Sequence, residues 1–192
     1  IVSTDEYHYL AWKEMADKEN IPFDRQTNNR LRGISRMASL EIILAATNRS
    51  YTDGKKKELA EKKNEIYRKY LEKLTPDDML PEAMDILSYL RIKGYLLAVG
   101  SSSRNTKAIL ARIGLGDFFD AVADGTDITK SKPDPEVFLK AAAKLGMKPA
   151  GCVVVEDATA GIEAAKKAGM TAIAIGDANK SPIADIKIHS LG

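Results

Sequence analysis

One cysteine, Cys152, is too few for an internal disulfide, and it sits beside an apolar run. That usage fits a reducing, cytoplasmic setting with a buried thiol. Two histidines, His8 and His189, cannot assemble the usual zinc site with it. No apolar run approaches the roughly 18 residues that a membrane span requires, so no membrane partner is expected. An excess of one charge is also missing. The 29 Lys and Arg residues face 27 Asp and Glu, which leaves no electrostatic footprint for nucleic acid. A repeat of about 20–50 residues is absent, as is any low-complexity linker. The opening "IVSTDEYHYLAWKEM" has no initiator methionine and neither the basic nor the long apolar region of a signal peptide. The N-terminus is therefore expected to be incomplete.

What is present divides into two patterns within a length that supports one sizeable core, or a core with a small accessory domain. From about Thr4 to Leu74 the apolar residues recur at helical spacing. Tyr7, Leu10, Ala11 and Met15 form one stripe, and Met37, Leu40, Ile43 and Leu44 another. Leu59, Ile66, Tyr67, Tyr70, Leu71 and Leu74 form a third, opposite the charge run "KKKELAEKK", which reads as solvated. After "TPDDMLPEA" helix-like and strand-like stretches alternate. Helices that end in Gly94, Gly146 and Gly169 pass at once into apolar strands. This βαβ alternation predicts a parallel sheet flanked by helices. Ligands of such sheets bind beyond the carboxyl ends of the strands, which directs attention to Ser101-Ser102-Ser103, Glu156-Asp157, Gly176-Asp177 and the loop "TKSKPDP".

At "VGSSSRNTKAIL" a strand ends in three serines, with a helix starting near Asn105. Hydroxyls and free N–H groups there suit a phosphate oxygen, although one serine could simply cap the helix. In "KSKPDPEVF", Pro133 and Pro135 stiffen the turn after Lys132. That lysine is either an ordinary exposed charge or a compact cation for a phosphoryl or carboxylate group. The run Val153-Val154-Val155 then delivers Glu156 and Asp157 side by side. Asp157 could serve as an N-cap, but Glu156 would face a strand end of low polarity beside a like charge. Two readings of the pair stand: a hard cation such as Mg2+, or a lysine counter-ion such as Lys132.

Strand-Ser, Lys-Pro and strand-acidic pair, in this order at one sheet edge, resemble the haloacid dehalogenase-like (HAD) phosphotransferase superfamily. Ser101 matches its second motif, Lys132 its third and Glu156-Asp157 its fourth. The resemblance implies a Rossmann-like α/β parallel-sheet core with an inserted α-helical cap. The cap would span 4–75 and the core 76–192. The family's nucleophile and acid–base aspartates form an Asp-x-Asp motif at the end of the first strand. That strand and motif are expected before residue 1, and Asp5, in the run matching the first cap helix, does not replace them.

A narrower resemblance, to the sugar-phosphate mutases of that superfamily, rests on "TDEYHYLAWK" and "RLRGISRMASLEIIL" together with "SSSRN" and "SKPDP". It implies isomerisation of β-glucose 1-phosphate to glucose 6-phosphate through a phospho-aspartate and β-glucose 1,6-bisphosphate, with Mg2+ held by Glu156 and Asp157. Ser101 and Lys132 would hold the transferring group, near Ser102, Ser103, Arg104 and Asn105. Arg36 would grip the distal phosphate, and Arg32, Gly33, Ile34, Ser35 and Ser39 would complete the sugar pocket. Thr4 and His8 would couple cap closure to proton transfer. Trp12, one helical turn from His8, shares its face. Lys63 is either a substrate contact or one more solvated charge. Arg32 and Arg104 stand where lysine is common in the family, and Ser102 where alanine is, so the sugar preference stays open.

The expected partner is a small sugar phosphate, and the expected state a monomer. Two other functions compete. A HAD phosphatase for sugar phosphates or phosphoglycolate shares the core motifs and differs in what its cap admits. A non-catalytic binding protein is the literal reading of the missing Asp-x-Asp.

Overall fold

The computed structural model describes residues 1–191. The first part of the chain is helical: α1 (Asp5–Lys18), α2 (Arg25–Asn29), α3 (Arg36–Leu44) and α4 (Asp53–Leu71). Ser35 caps α3 by accepting from the Ala38 N–H, and Thr52 caps α4 by accepting from the Lys55 N–H. Each such cap satisfies a backbone donor that the helix itself cannot, worth about 1 kcal/mol. Trp12, Met15, Leu40, Ile43 and Leu59 from α1, α3 and α4 form one buried cluster. The last turns of α4 belong to a second. Tyr67, Leu71 and Leu74 pack there with Leu87, Leu97, Ile109 and Ile113 from the α/β part, so apolar contact is continuous between the two regions.

The α/β part runs α5 (Ala83–Ile92), β1 (Ala98–Gly100), α6 (Thr106–Arg112), β2 (Ala121–Ala123), α7 (Glu136–Lys144), β3 (Val153–Glu156), α8 (Thr159–Lys167), β4 (Thr171–Ile175) and β5 (Ile186–Ile188). All strand pairs are parallel. Gly94, Gly146 and Gly169 follow α5, α7 and α8 at φ +79°, +67° and +74°, the left-handed conformation that ends helices without a Cβ penalty.

The strands form two parallel ladders, β1-β2 and β3-β4-β5. Among the described residues no strand bonds to the facing edges of β1 and β3, so no ladder joins them. The strand after Cys152 is buried on one side only. Val154 is enclosed, while Val153 and Val155 are 60% and 50% exposed, as the two-residue period of a strand dictates when one face is uncovered. The strand β5 and the 3-10 turn Gly176–Lys180 gave no sequence signal strong enough to be read.

The chain start is fastened to the junction between the two regions. Val2 bridges Met79, and the Leu80 N–H donates to the Ile1 carbonyl at 2.8 Å. Thr4 and α1 therefore begin where the chain crosses from one region to the other.

Gly125, after β2, fixes the approach of the serine turn. A Cβ there would lie 2.5 Å from the Ser102 carbonyl oxygen and 2.9 Å from the Arg104 nitrogen. Since those neighbours are backbone, Gly125→Ala is expected to cost about 1–3 kcal/mol, the usual range for overpacking. A lower urea midpoint at unchanged slope would show it.

Candidate active site

The tips of β1 and β3 lie under one lysine. Lys132 Nζ donates to Glu156 Oε2 at 2.7 Å and to the Gly100 carbonyl at 3.2 Å, 4.6 Å above the Phe138 ring. Both side chains of the pair are at most 10% exposed. The counter-ion reading of Lys132 is therefore realised, and the reading of an exposed lysine is not. Glu156 Oε1 accepts from the Ala158 N–H at 3.1 Å. Burial pushes the Glu156 carboxyl above its ordinary range, while Lys132 pulls it down and Asp157 adds to the rise. Gly161 makes room for this carboxylate, since a Cβ there would sit 2.1 Å from Glu156 Cδ.

The two capping alternatives fail at this edge. Ala158, not Asp157, occupies the N-cap position of α8. Asn105 occupies that of α6, and none of the three serines caps it. The serines brace their own turn instead. Ser101 Oγ accepts from the Ser103 N–H at 3.2 Å, and Ser103 Oγ accepts from the Asn105 N–H at 3.1 Å. Ser102 Oγ is buried without a hydrogen-bond partner. Arg104 Nε donates to the Gly125 carbonyl.

Among the described residues no three His, Cys, Asp or Glu side chains gather as a metal cage. Asp157 and Glu156 nonetheless offer the donor chemistry of Mg2+, which is commonly held by one or two carboxylates and completes its shell with water and phosphate. Because Glu156 is already bonded to Lys132, Asp157 is the carboxylate better placed to carry such an ion.

On the helical side, Lys63 closes the run read as solvated, yet it is 3% exposed. Its Nζ lies 2.8 Å from His8 Nδ1, 4.9 Å from the Trp12 ring and 4.4 Å from that of Tyr67. The shared face of His8 and Trp12 is thus the face that meets Lys63. His8 stacks on Tyr67 at 4.1 Å, and the Tyr67 hydroxyl donates to Thr4 Oγ1 at 3.1 Å. No carboxylate pairs with Lys63 among the described residues. Burial holds Lys63 well below the usual lysine range, and the charge of Arg36 lowers it further. Burial likewise depresses His8, with Lys63 and Arg36 adding to it, and drives the Tyr67 hydroxyl up to about 12. Arg36 donates to Glu61 Oε2 at 3.0 Å, yet burial holds its guanidinium below the usual arginine range, with the charge of Arg104 adding to this.

The remaining residues of "RLRGISRMAS" are placed as follows. Gly33, at φ +77°, seats its loop against the core, where a Cβ would lie 3.4 Å from Ala158 Cβ. Ile34 packs on the helical cluster, Ser35 caps α3, and Ser39 is buried. Arg32 is bonded to both Asp5 and Asp177. Asn105 Nδ2 donates to Asn64 Oδ1 at 3.0 Å. Asn105 against Asn64 and Gly33 against Ala158 thus bring the serine turn and the loop after the acidic pair up to the helical region that carries His8 and Lys63. Sequence reading gave no functional role to Asn64 or Tyr67 and did not pair Arg32 with Asp5 or Asp177, because contacts 27 to 145 residues apart leave no local pattern.

Residues 1–169 match the haloacid dehalogenase-like hydrolase family, and the chain belongs to it. Within that family the likeness runs to β-phosphoglucomutases. The chain is 45% identical to the β-phosphoglucomutase of Bacillus subtilis (strain 168), over 98% of this chain and 84% of that one. It overlays the crystal structure of β-phosphoglucomutase from Clostridium difficile at a TM-score of 0.93, with 34% identity, over 99% of this chain and 86% of that one. Fructose-1-phosphate phosphatase YqaB of Escherichia coli (strain K12) is 33% identical, over 90% of this chain and 89% of that one. These likenesses support an enzyme of the β-phosphoglucomutase type, and at the coarser level a sugar-phosphate mutase or phosphatase of this family.

The depressed imidazole gives a direct check. The ring of His8 is expected to stay neutral as pH falls through 6.5, its ordinary value, and to protonate only well below it. Because its folded value is lowered, the stability tied to neutral His8 is complete above 6.5 and is lost as pH falls through the folded value. Imidazole NMR shifts followed against pH measure this. Lys63→Met should move the midpoint part of the way up, since burial, the larger cause, remains.

Proposed function

We propose that the protein isomerises β-glucose 1-phosphate to glucose 6-phosphate, passing through β-glucose 1,6-bisphosphate and a phospho-aspartate. The observation that carries this reading is Lys63. A buried lysine beside Arg36, with a neutral histidine and two aromatic rings for company, is unfavourable until an anion arrives. A phosphate on the far side of a sugar supplies that anion. Arg36 can offer it paired N–H donors, and Gly33 lets backbone approach the sugar. A second, separate anion site lies at the strand tips, among the serine turn and Lys132. Two such groups of cations, on the helical region and at the strand tips, would suit a bisphosphate that must turn over between half-reactions.

In this reading residues 4–75 are a cap and 76–192 a core. Ser101 and Lys132 orient the transferring phosphoryl group, with Asn105 alongside. Mg2+, held by Asp157 and Glu156, would neutralise charge on that group. Thr4, bonded to Tyr67, and His8, bonded to Lys63, tie the start of α1 to the substrate wall of α4. Cap position and proton handling would be coupled there. No aspartate of this sequence is given the nucleophile or acid–base role. We further propose a cytoplasmic monomer.

The test uses the full-length protein supplied with β-glucose 1-phosphate. Glucose 6-phosphate should form, and its formation should require catalytic β-glucose 1,6-bisphosphate. Release of inorganic phosphate without isomerisation would overturn the mutase reading in favour of a phosphatase. Lys63→Met removes a charged hydrogen-bond donor to the substrate, so kcat/KM should drop roughly 10- to 150-fold, the equivalent of about 1.5–3 kcal/mol. The same change removes a buried lysine with no acidic partner, so thermal stability should rise as activity falls.

A further inference from the structure

We propose that Arg32 is a positioning residue, the clasp that holds the cap shut, and that Asp177 and Asp5 are its two anchors. This rests on reading residues 4–75 as a cap. The guanidinium of Arg32 forks. Nη1 donates to Asp177 Oδ2 and Nη2 to Asp5 Oδ2. Asp5 opens α1, where a carboxylate is favoured by the helix dipole, and Asp177 stands in the 3-10 turn that leaves β4. One planar side chain therefore ties the first helix of the cap, the loop before α3 and the core. A lysine at this position would present a single point charge and could not fork in the same way.

The neighbouring contacts act in the same direction. Gly33, next in the chain, rests against Ala158 and Ala160 at 3.4 and 3.5 Å for an added Cβ. Asn105 donates to Asn64 between the same two regions. Burial alone would lower the Arg32 guanidinium, but Asp5, Asp177 and Asp157 together raise it above its ordinary value. Lys180 Nζ donates to the other oxygen of Asp177, Oδ1, at 3.2 Å.

Arg32, Asp5 and Asp177 are 37%, 40% and 59% exposed at the side chain. An ion pair this open shifts an equilibrium only about 1.5- to 5-fold, and salt weakens it. That strength suits a clasp that must close on every substrate and release every product. A substrate contact, the role the family resemblance gives Arg32, would leave its guanidinium facing the sugar. Here both terminal nitrogens are taken by carboxylates instead.

The experiment compares full-length wild type, Arg32→Ala, Asp177→Asn and the double variant. Asp177→Asn opens the clasp and leaves every candidate substrate-binding side chain in place. Hydrogen exchange of backbone amides in residues 30–36 should speed up about 2- to 5-fold in each single variant, with no further gain in the double. High salt should reproduce the effect in wild type and add nothing to Asp177→Asn. The share of bisphosphate hydrolysed rather than isomerised should rise with it. Unchanged exchange in Asp177→Asn, with a raised KM in Arg32→Ala alone, would overturn the clasp and make Arg32 a substrate contact. Should wild type fail to isomerise the sugar, the proposed function falls, while the exchange comparison still decides the clasp.

Discussion

Lys132 and Glu156 fix the tips of β1 and β3 relative to each other. Each partner of this ion pair also bonds backbone from one side: Lys132 the Gly100 carbonyl, Glu156 the Ala158 N–H. A buried pair of this kind contributes little net stability, since desolvation offsets attraction, but leaving one partner alone costs about 3–5 kcal/mol. Its value here is positional. Gly161 has no side chain because the Glu156 carboxylate lies where one would be, and Phe138 covers Gly100 and the lysine together. Serine turn and acidic pair inherit their separation from this pair.

The helical region follows an opposite electrostatic rule. At the strand tips a buried cation is compensated. At α1 and α4 it is not, because among the described residues Lys63 meets His8 and aromatic faces and no carboxylate. Compensation gives a rigid platform that keeps its geometry whether or not a ligand is present. An uncompensated cation gives a wall whose preferred state depends on an arriving anion.

Much of this was legible in the sequence. Helices followed from apolar spacing, their ends from Gly94, Gly146 and Gly169, and the strand tips from apolar runs that stop at polar residues. The motif residues Ser101, Lys132, Glu156 and Asp157 do meet at one end of the sheets. Other features were hidden for physical reasons. Lys63 ends a run of charges, and composition cannot reveal that one of them turns inward. The exposed Val153 and Val155 look like core because covering a strand face depends on other segments. The serines and Asp157 have capping chemistry, but their turns place Asn105 and Ala158 at the N-cap positions. Arg32 could be read as a sugar contact because its carboxylate partners lie 27 and 145 residues away.

The contacts between the two regions differ in kind. Around the crossing of the chain the contact is apolar and continuous: Tyr67, Leu71 and Leu74 are buried with Leu87 and Ile109. A surface like that moves little, since separating it would expose several large side chains to water. Away from it the contacts are a glycine against two alanines, one amide pair and one half-exposed guanidinium. Each is weak and readily remade with water. The two regions are thus joined by strong apolar contact on one side and weak polar contact on the other. Tyr67 belongs to both, packed in the apolar cluster while its ring carries His8 and faces Lys63.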